Sequence, residues 1–359
     1  MDSTERLDYW QSLADKALRG EMLTRDEALA VLRAPNTELL AILQAAFRVR
    51  RHFFGVKVRL NMLINAKSGL CSENCGYCAQ SVVSKAKIDK YGLVDKETIL
   101  QGAEKAYQLQ AETYCIVGSG RAPSDRELQQ IIEAVREIKQ RYPMRVCLSL
   151  GLVNEEQAAR MKAAGVDRYN HNLNTSAGHT PALVTTHTYQ DRVHTVRSVA
   201  KAGLTGCSGC LVGTGETDDD LYDLACELRA LDVESIPVNS LHPIPGTPLA
   251  GKMELTPGRC LKILAFFRLM CPAKEIRISG GREVNLRSLQ PLGLYAANSI
   301  FIGGYLTTEG SSPEADYAMI ADLGFEIDTG KEQVLSQGDT GEAQAPVAGT
   351  ATASGGQVE

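Results

Sequence analysis

The chain has 359 residues, 44% of them hydrophobic and 23% charged, with a net charge of −5. That composition excludes a mainly disordered, collagen-like or disulfide-scaffold protein, and the negative charge excludes broad nonspecific binding to nucleic acid, which needs a basic face. No run of 18 apolar residues is present to span a membrane, and the N-terminus MDSTERLDYWQ is charged from its second residue without an apolar signal core, so a cytoplasmic location is expected.

Residues 1–55 read as a helical extension. Ser3 is placed to cap a first helix, and Thr24-Arg25-Asp26-Glu27 opens a second with acidic residues in its first turn. A third runs from about Asn36 to Arg51, with Leu39, Leu40, Leu43 and Phe47 at helical spacing. Three short helices can form a DNA-binding helix-turn-helix, but such lengths recur as plain packing elements.

From Val58 the rhythm changes to short β-rich runs alternating with amphipathic helical stretches. Strands are expected near Val58–Asn65, Glu112–Val117, Arg145–Leu150, Arg168–Leu173, Gly206–Val212, Ser235–Asn239, Glu275–Ile278 and Ser299–Ile302. Helices are expected between them, as at Asp125–Arg141, Asn154–Ala164, Thr217–Leu231 and Thr256–Met270. Eight such alternations predict an α/β chain whose residues 56–329 close a (βα)₈ TIM-type barrel, with a doubly wound open sheet as the competing arrangement. Residues 330–359 are rich in Gly, Ala, Thr, Ser and Gln and read as a disordered tail.

Ten cysteines in a chain expected in a reducing compartment call for metal ligation, catalysis or small-residue packing rather than disulfides. Directly after the first strand stands Lys67-Ser-Gly-Leu-Cys71-Ser-Glu-Asn-Cys75-Gly-Tyr-Cys78, a C-x₃-C-x₂-C loop. Three soft thiolates so close together suit an iron–sulfur cluster or zinc. Structural zinc wants a fourth ligand, and no local His or Cys supplies it. Three ligands on a four-iron cubane leave one iron open for a substrate or cofactor. The competing reading is three unrelated cysteines.

This loop at this place resembles the radical S-adenosylmethionine (SAM) superfamily. The resemblance implies a [4Fe–4S] cluster whose open iron chelates SAM, and an electron that cleaves SAM to methionine and a 5′-deoxyadenosyl radical. Tyr77 matches the aromatic between the last two cysteines, and Gly209-Cys-Leu-Val-Gly213-Thr-Gly-Glu216 resembles the fifth-strand motif that approaches the adenine of SAM, which assigns Gly213 and Glu216 to the cofactor. The usual Gly-Gly-Glu after the second strand is replaced by Gly118-Ser119-Gly120.

Strand parity adds a second group. Barrel interiors are normally filled by Val, Ile and Leu. Alternate side chains share a face, so Arg145-Val-Cys147-Leu-Ser149 puts its thiol with its polar residues, as Glu275-Ile-Arg277-Ile-Ser279 does its arginine. With Cys115 mid-strand in Thr113–Val117 and Cys207 on the fifth strand, Cys115, Cys147, Cys207 and Arg277 are expected to point inward together. A buried unpaired Arg is prohibitive, so an anion or charged cofactor is expected beside Arg277. The competing reading is a set of small core hydrophobes, and it is preferred for Cys226, Cys260 and Cys271 on helical stretches. Cys210, three residues after Cys207, reads first as a spare core thiol, with an alternative cluster ligand or altered sulfur chemistry as competing readings.

Asn61-Met-Leu-Ile-Asn-Ala-Lys67, Tyr169-Asn-His-Asn-Leu-Asn-Thr175-Ser, Ser235-Ile-Pro-Val-Asn239, Ile276-Arg-Ile-Ser-Gly-Gly-Arg282-Glu and Ala297-Asn-Ser-Ile-Phe301 sharpen the resemblance to the biotin synthase family, over roughly residues 20–325. It implies a sulfurtransferase that converts dethiobiotin to biotin with two SAM molecules, holding a [2Fe–2S] cluster on Cys115, Cys147, Cys207 and Arg277 as the sulfur source. It assigns Asn172 and Asn239 to the ureido ring, Asn174 to the neighbourhood of substrate or ribose, Arg192 to SAM, and Lys67, Thr307 and Thr308 to the substrate carboxylate. It further implies an electron-donor flavodoxin or ferredoxin, a homodimer, and no nucleic-acid or membrane partner. Another radical SAM enzyme of the same subgroup, or a non-catalytic iron–sulfur redox protein, are the competing functions; the first would share Cys71, Cys75 and Cys78 but not the second set.

Overall fold

The computed structural model describes residues 3–330. Three helices lead the chain, Ser3–Leu18, Arg25–Arg33 and Leu39–Phe54, the last entered through a 3₁₀ turn at Asn36–Glu38. Ser3 lies inside the first helix rather than ahead of it. Thr24 caps the second as expected: its side chain accepts from Glu27 N, and the Glu27 carboxylate accepts from Thr24 N. Ser124, Asn154, Thr188 and Thr217 open four later helices by the same reciprocal device, each worth about 1 kcal/mol.

The strands are β1 (Lys57–Lys67), β2 (Thr113–Gly118), β3 (Arg145–Ser149), β4 (Arg168–Asn170), β5 (Thr205–Cys207), β6 (Cys210–Val212), β7 (Ser235–Ser240), β8 (Glu275–Ile278), β9 (Ser299–Phe301) and β10 (Glu326–Asp328). All pair in parallel, in the order β1-β2-β3-β4-β5-β7-β8-β9, and β9 pairs back onto β1 to close the barrel. The open-sheet alternative is thereby excluded. Helices such as Asp125–Arg141 and Pro257–Met270 cover the outside, and residues of the three N-terminal helices share one apolar core with Pro257–Met270 and β7–β9.

Three expectations are corrected. The fifth strand is not continuous: β5 and β6 both pair with β7, at Cys207↔Ser235 and Cys210↔Val238, with Ser208 and Gly209 between them. Gly209 is needed there because a Cβ would sit 2.0 Å from Pro237 O. The fourth strand is interrupted after Asn170: Asn172 Oδ1 accepts from Gly209 N at 3.0 Å, and the chain bridges its neighbour again at Asn174↔Cys210, where Asn174 adopts φ +70°. Finally, β10 is an unexpected strand; it pairs with β1 through Val58↔Ile327. The tail expected from residue 330 lies, beyond Gly330, outside the described residues. No helix among the described residues is long and apolar enough to cross a membrane.

Candidate active site

Parallel strands fed by outer helices place their inward residues in layers along the barrel axis. Here those layers are polar. Tyr114, Ile116, Val146 and Leu148 pack outward into the helical layer, whereas Cys115 and Cys147 form a small interior cluster with Phe301. The two cysteines are in register on adjacent strands. Cys207 follows on β5, taking a hydrogen bond from Asn170 Nδ2 at 3.3 Å and lying 3.9 Å from Arg277 Nη1. The structure therefore brings together all four residues that parity assigned to the interior.

The anion expected beside Arg277 is present, and it belongs to the protein. The Arg277 guanidinium already has a carboxylate: Glu275, two residues earlier on β8, pairs with Nη2, and Ser235 and Ser299 hydroxyls accept from Nη2 and Nε at 3.1 and 3.2 Å. Glu275 also binds Arg168 at 2.9 Å and Arg59 at 3.3 Å. Burial alone would raise the Glu275 carboxyl, but Arg168, Arg277 and Arg59 hold it well below the carboxylate range. This charged belt was not read from sequence, although Glu275 shares the parity of Arg277.

Above the thiols lies a cavity of about 140 Å³ lined by Leu63, Cys115, Cys147, Pro237, Arg277 and Phe301. A larger one, of about 320 Å³, opens at the C-terminal ends of the strands and is lined by Cys71, Tyr77, Cys78, Arg192, Asn239, Thr307 and Thr308 among others. Val117, Ser149, Asn170, Asn172, Tyr305 and Leu306 line both. The two chambers are thus stacked along the barrel axis and share one wall. Asn170 and Tyr305 were not assigned from the sequence. Tyr305 sits in the loop after Gly303-Gly304, where no strand parity points to it, and its hydroxyl donates to Asn239 Oδ1 at 2.9 Å.

The Cys71–Cys78 loop forms the roof. Gly76 N donates to Leu183 O at 2.8 Å, and Glu73 is buried in a set of bonds from Arg121, Thr186 and His187. Burial pushes the Cys75 thiol up, and the Cys78 thiol up to about 12. Such thiols release their protons when iron takes their place. Among the described residues no three His, Cys, Asp or Glu side chains are gathered tightly enough for a single metal ion. A cluster, in which thiolates bind different irons, does not need that single-ion geometry. The void between Cys115, Cys147 and Arg277 likewise fits a resident group, since barrel cores are otherwise filled.

The remaining expected residues divide. Asn174 Nδ2 donates to the Tyr77 hydroxyl at 2.5 Å, and Arg192 donates to Asn172 O at 2.6 Å and to Tyr77 at 3.4 Å, so these three join the roof to the cavity wall. Arg192 is buried and has no carboxylate partner among the described residues. Thr307 and Thr308 line the larger cavity. Lys67 does not line the main cavity; its ammonium pairs with Glu127 at 2.6 Å. Gly213 and Glu216 also lie outside the lining. The Glu216 carboxylate accepts from Gly213 N and Thr214 N at 2.8 Å each and closes that turn. Cys210 faces away, into the core shared with the outer helices.

Two family models match the chain: the radical SAM superfamily over residues 67–227, and the biotin and thiamin synthesis associated domain over residues 237–326. Biotin synthase of Geobacillus kaustophilus is 61% identical over 319 residues, 89% of this chain and 96% of that protein. Biotin synthase of Bacillus subtilis is 56% identical over 330 residues, 92% of this chain and 98% of that protein. Among solved structures, methylornithine synthase matches with a TM-score of 0.78 at 20% identity, covering 90% of this chain and 99% of that one. The FeFe-hydrogenase maturase of Carboxydothermus hydrogenoformans matches with a TM-score of 0.77 at 17% identity, covering 90% and 80%. At such identities the two structures support the barrel alone.

Proposed function

We infer the roles of the site residues from one premise: the chain belongs to the biotin synthase family of radical SAM enzymes. Enzymes of this family act on dethiobiotin and SAM and carry a [4Fe–4S] and a [2Fe–2S] cluster. The bonds to be changed are unactivated C–H bonds, which no general base ionises at neutral pH, so the cofactors carry the chemistry and the protein positions it. When bound, the first cluster with SAM supplies a hydrogen-abstracting radical and the second supplies sulfide sulfur.

The observation that carries the assignment is the stacking of the two chambers. Cys71, Cys75 and Cys78 would hold the [4Fe–4S] cluster at the roof; Cys115, Cys147 and Cys207, with Arg277, would hold the [2Fe–2S] cluster at the floor. A substrate against the shared wall lies between them. Asn172 and Asn239 line the cavity with their side-chain oxygens already held, by Gly209 N and Asn170 Nδ2 and by Gly280 N and the Tyr305 hydroxyl, which leaves amide N–H groups to donate to a ureido oxygen. Arg192, a buried cation with Tyr77 and Asn174 beside it, suits the carboxylate of SAM. Thr307 and Thr308, which line the cavity, suit the substrate carboxylate; Lys67 would join them only by leaving Glu127. Gly213 and Glu216 shape the turn behind the cofactor wall. An electron-donor flavodoxin or ferredoxin, a homodimer and a cytoplasmic location follow from the family resemblance.

The test is anaerobic reconstitution with iron and sulfide, followed by incubation with SAM, a reductant and dethiobiotin. Formation of biotin supports the reading. Release of 5′-deoxyadenosine without biotin would point to another radical SAM enzyme, and absence of both to a redox protein.

A further inference from the structure

The floor contains a residue that the assignment of Arg277 does not use. This inference rests on the placement of the second cluster at Cys115, Cys147 and Cys207. A guanidinium presents five N–H donors in a rigid fork. On Arg277, which is 2% exposed, Nε is committed to Ser299 and Nη2 to Ser235 and Glu275. Nη1 is the nitrogen turned toward a thiol, that of Cys207. The ring of Phe301, 5.1 Å from the guanidinium carbon, closes its face.

Glu275 sets this arrangement. It is 1% exposed and shares the inward face of β8 with Arg277, two residues on. Arg59 and Arg168 also bind it, but each has a second carboxylate, Asp328 at 3.1 Å and Glu234 at 2.8 Å. Among the described residues Glu275 is the sole carboxylate paired with Arg277. We propose that Glu275 is a positioning residue for the second cluster: it pins the Arg277 fork so that Nη1 faces the thiols, and it supplies the fixed negative charge that balances Arg277 beneath the cluster. In a dry interior one uncompensated charge is felt strongly by a neighbouring redox group. Replacing Glu275 by the isosteric amide keeps the shape and removes the charge, which favours the reduced, more negative state of the cluster.

The experiment uses the full chain reconstituted with both clusters and measures the spectrum and midpoint potential of the second one. Glu275→Gln is expected to shift that potential in the positive direction while the first cluster and the KM for SAM stay unchanged. Glu234→Gln, which alters the same belt without touching Arg277, is expected to leave it within error. An unmoved potential in Glu275→Gln, or an equal shift in Glu234→Gln, would overturn the positioning role. Should Glu275→Gln fail to fold, Glu275→Asp keeps the charge but withdraws it from Nη2; an altered spectrum of the second cluster is expected, and an unaltered one overturns the proposal. Cys147→Ala is expected to abolish the second signal. Its survival would overturn the cluster placement instead, a failure distinguishable from an unmoved potential.

Discussion

Cys207 and Cys210 stand three residues apart and face opposite ways. Both pair with β7, at Ser235 and Val238, and three residues along that strand reverse the face, so Cys207 joins Cys147 and Arg277 inside while Cys210 is buried in the core shared with the outer helices. Cys210→Ala is therefore expected to keep both cluster spectra and near-normal biotin formation, at a cost of about 1 kcal/mol in stability; loss of the second cluster in this variant would show that the thiol turns inward. Cys75→Ala, at the roof, is expected to abolish 5′-deoxyadenosine release, measured by chromatography of the anaerobic reaction. Parity made these inward residues legible in the sequence. It did not reveal Tyr305, which lies in a loop, nor the partner of Arg277, because a preference for pairing says nothing about which of several carboxylates is near.

At the level of elements, helix starts were legible because capping is local: Thr24 and Glu27, or Ser124 and Glu127, carry the whole signal within four positions. The break between β5 and β6 was not, because its cause is tertiary. Gly209 is pressed against the carbonyl of Pro237 on the neighbouring strand. Gly209→Ala is expected to destabilise the chain by several kcal/mol, or to displace β6 from β7, since the close neighbour is backbone and cannot rotate away; a melting temperature within about 2 °C of wild type would contradict this. The turn after β6 makes a complementary case. Glu216→Ala leaves the N–H groups of Gly213 and Thr214 without their carboxylate and is expected to cost about 1–3 kcal/mol. The loss is read by denaturant unfolding.

Across the whole molecule, the N-terminal helices are tied to the barrel by charge as well as by apolar packing. Asp218, at the start of Asp218–Ala230, binds Arg33 at 2.9 Å and Arg259 of Pro257–Met270. Burial alone would raise its carboxyl, but the two arginines hold it below the ordinary value. A lowered folded value means the contribution is present above the unfolded value of about 3.9 and is lost as the pH falls through the folded one. The stability gap between wild type and Asp218→Asn should thus be widest near neutrality and close in acid; a gap that is constant with pH would contradict the ion-pair account. The barrel itself was legible from eight alternations of strand and helix, whereas β10, three residues long and set by its pairing with β1, left no pattern to read. That barrel stacks the two chambers, and in the proposed reading the stacking would let a cluster at the floor supply sulfur to a substrate held under the roof. The direct test reconstitutes the second cluster with ³⁴S-labelled sulfide and analyses the biotin of the first turnover by mass spectrometry. The account predicts that this biotin carries the label. Unlabelled biotin from a fully labelled cluster would contradict it.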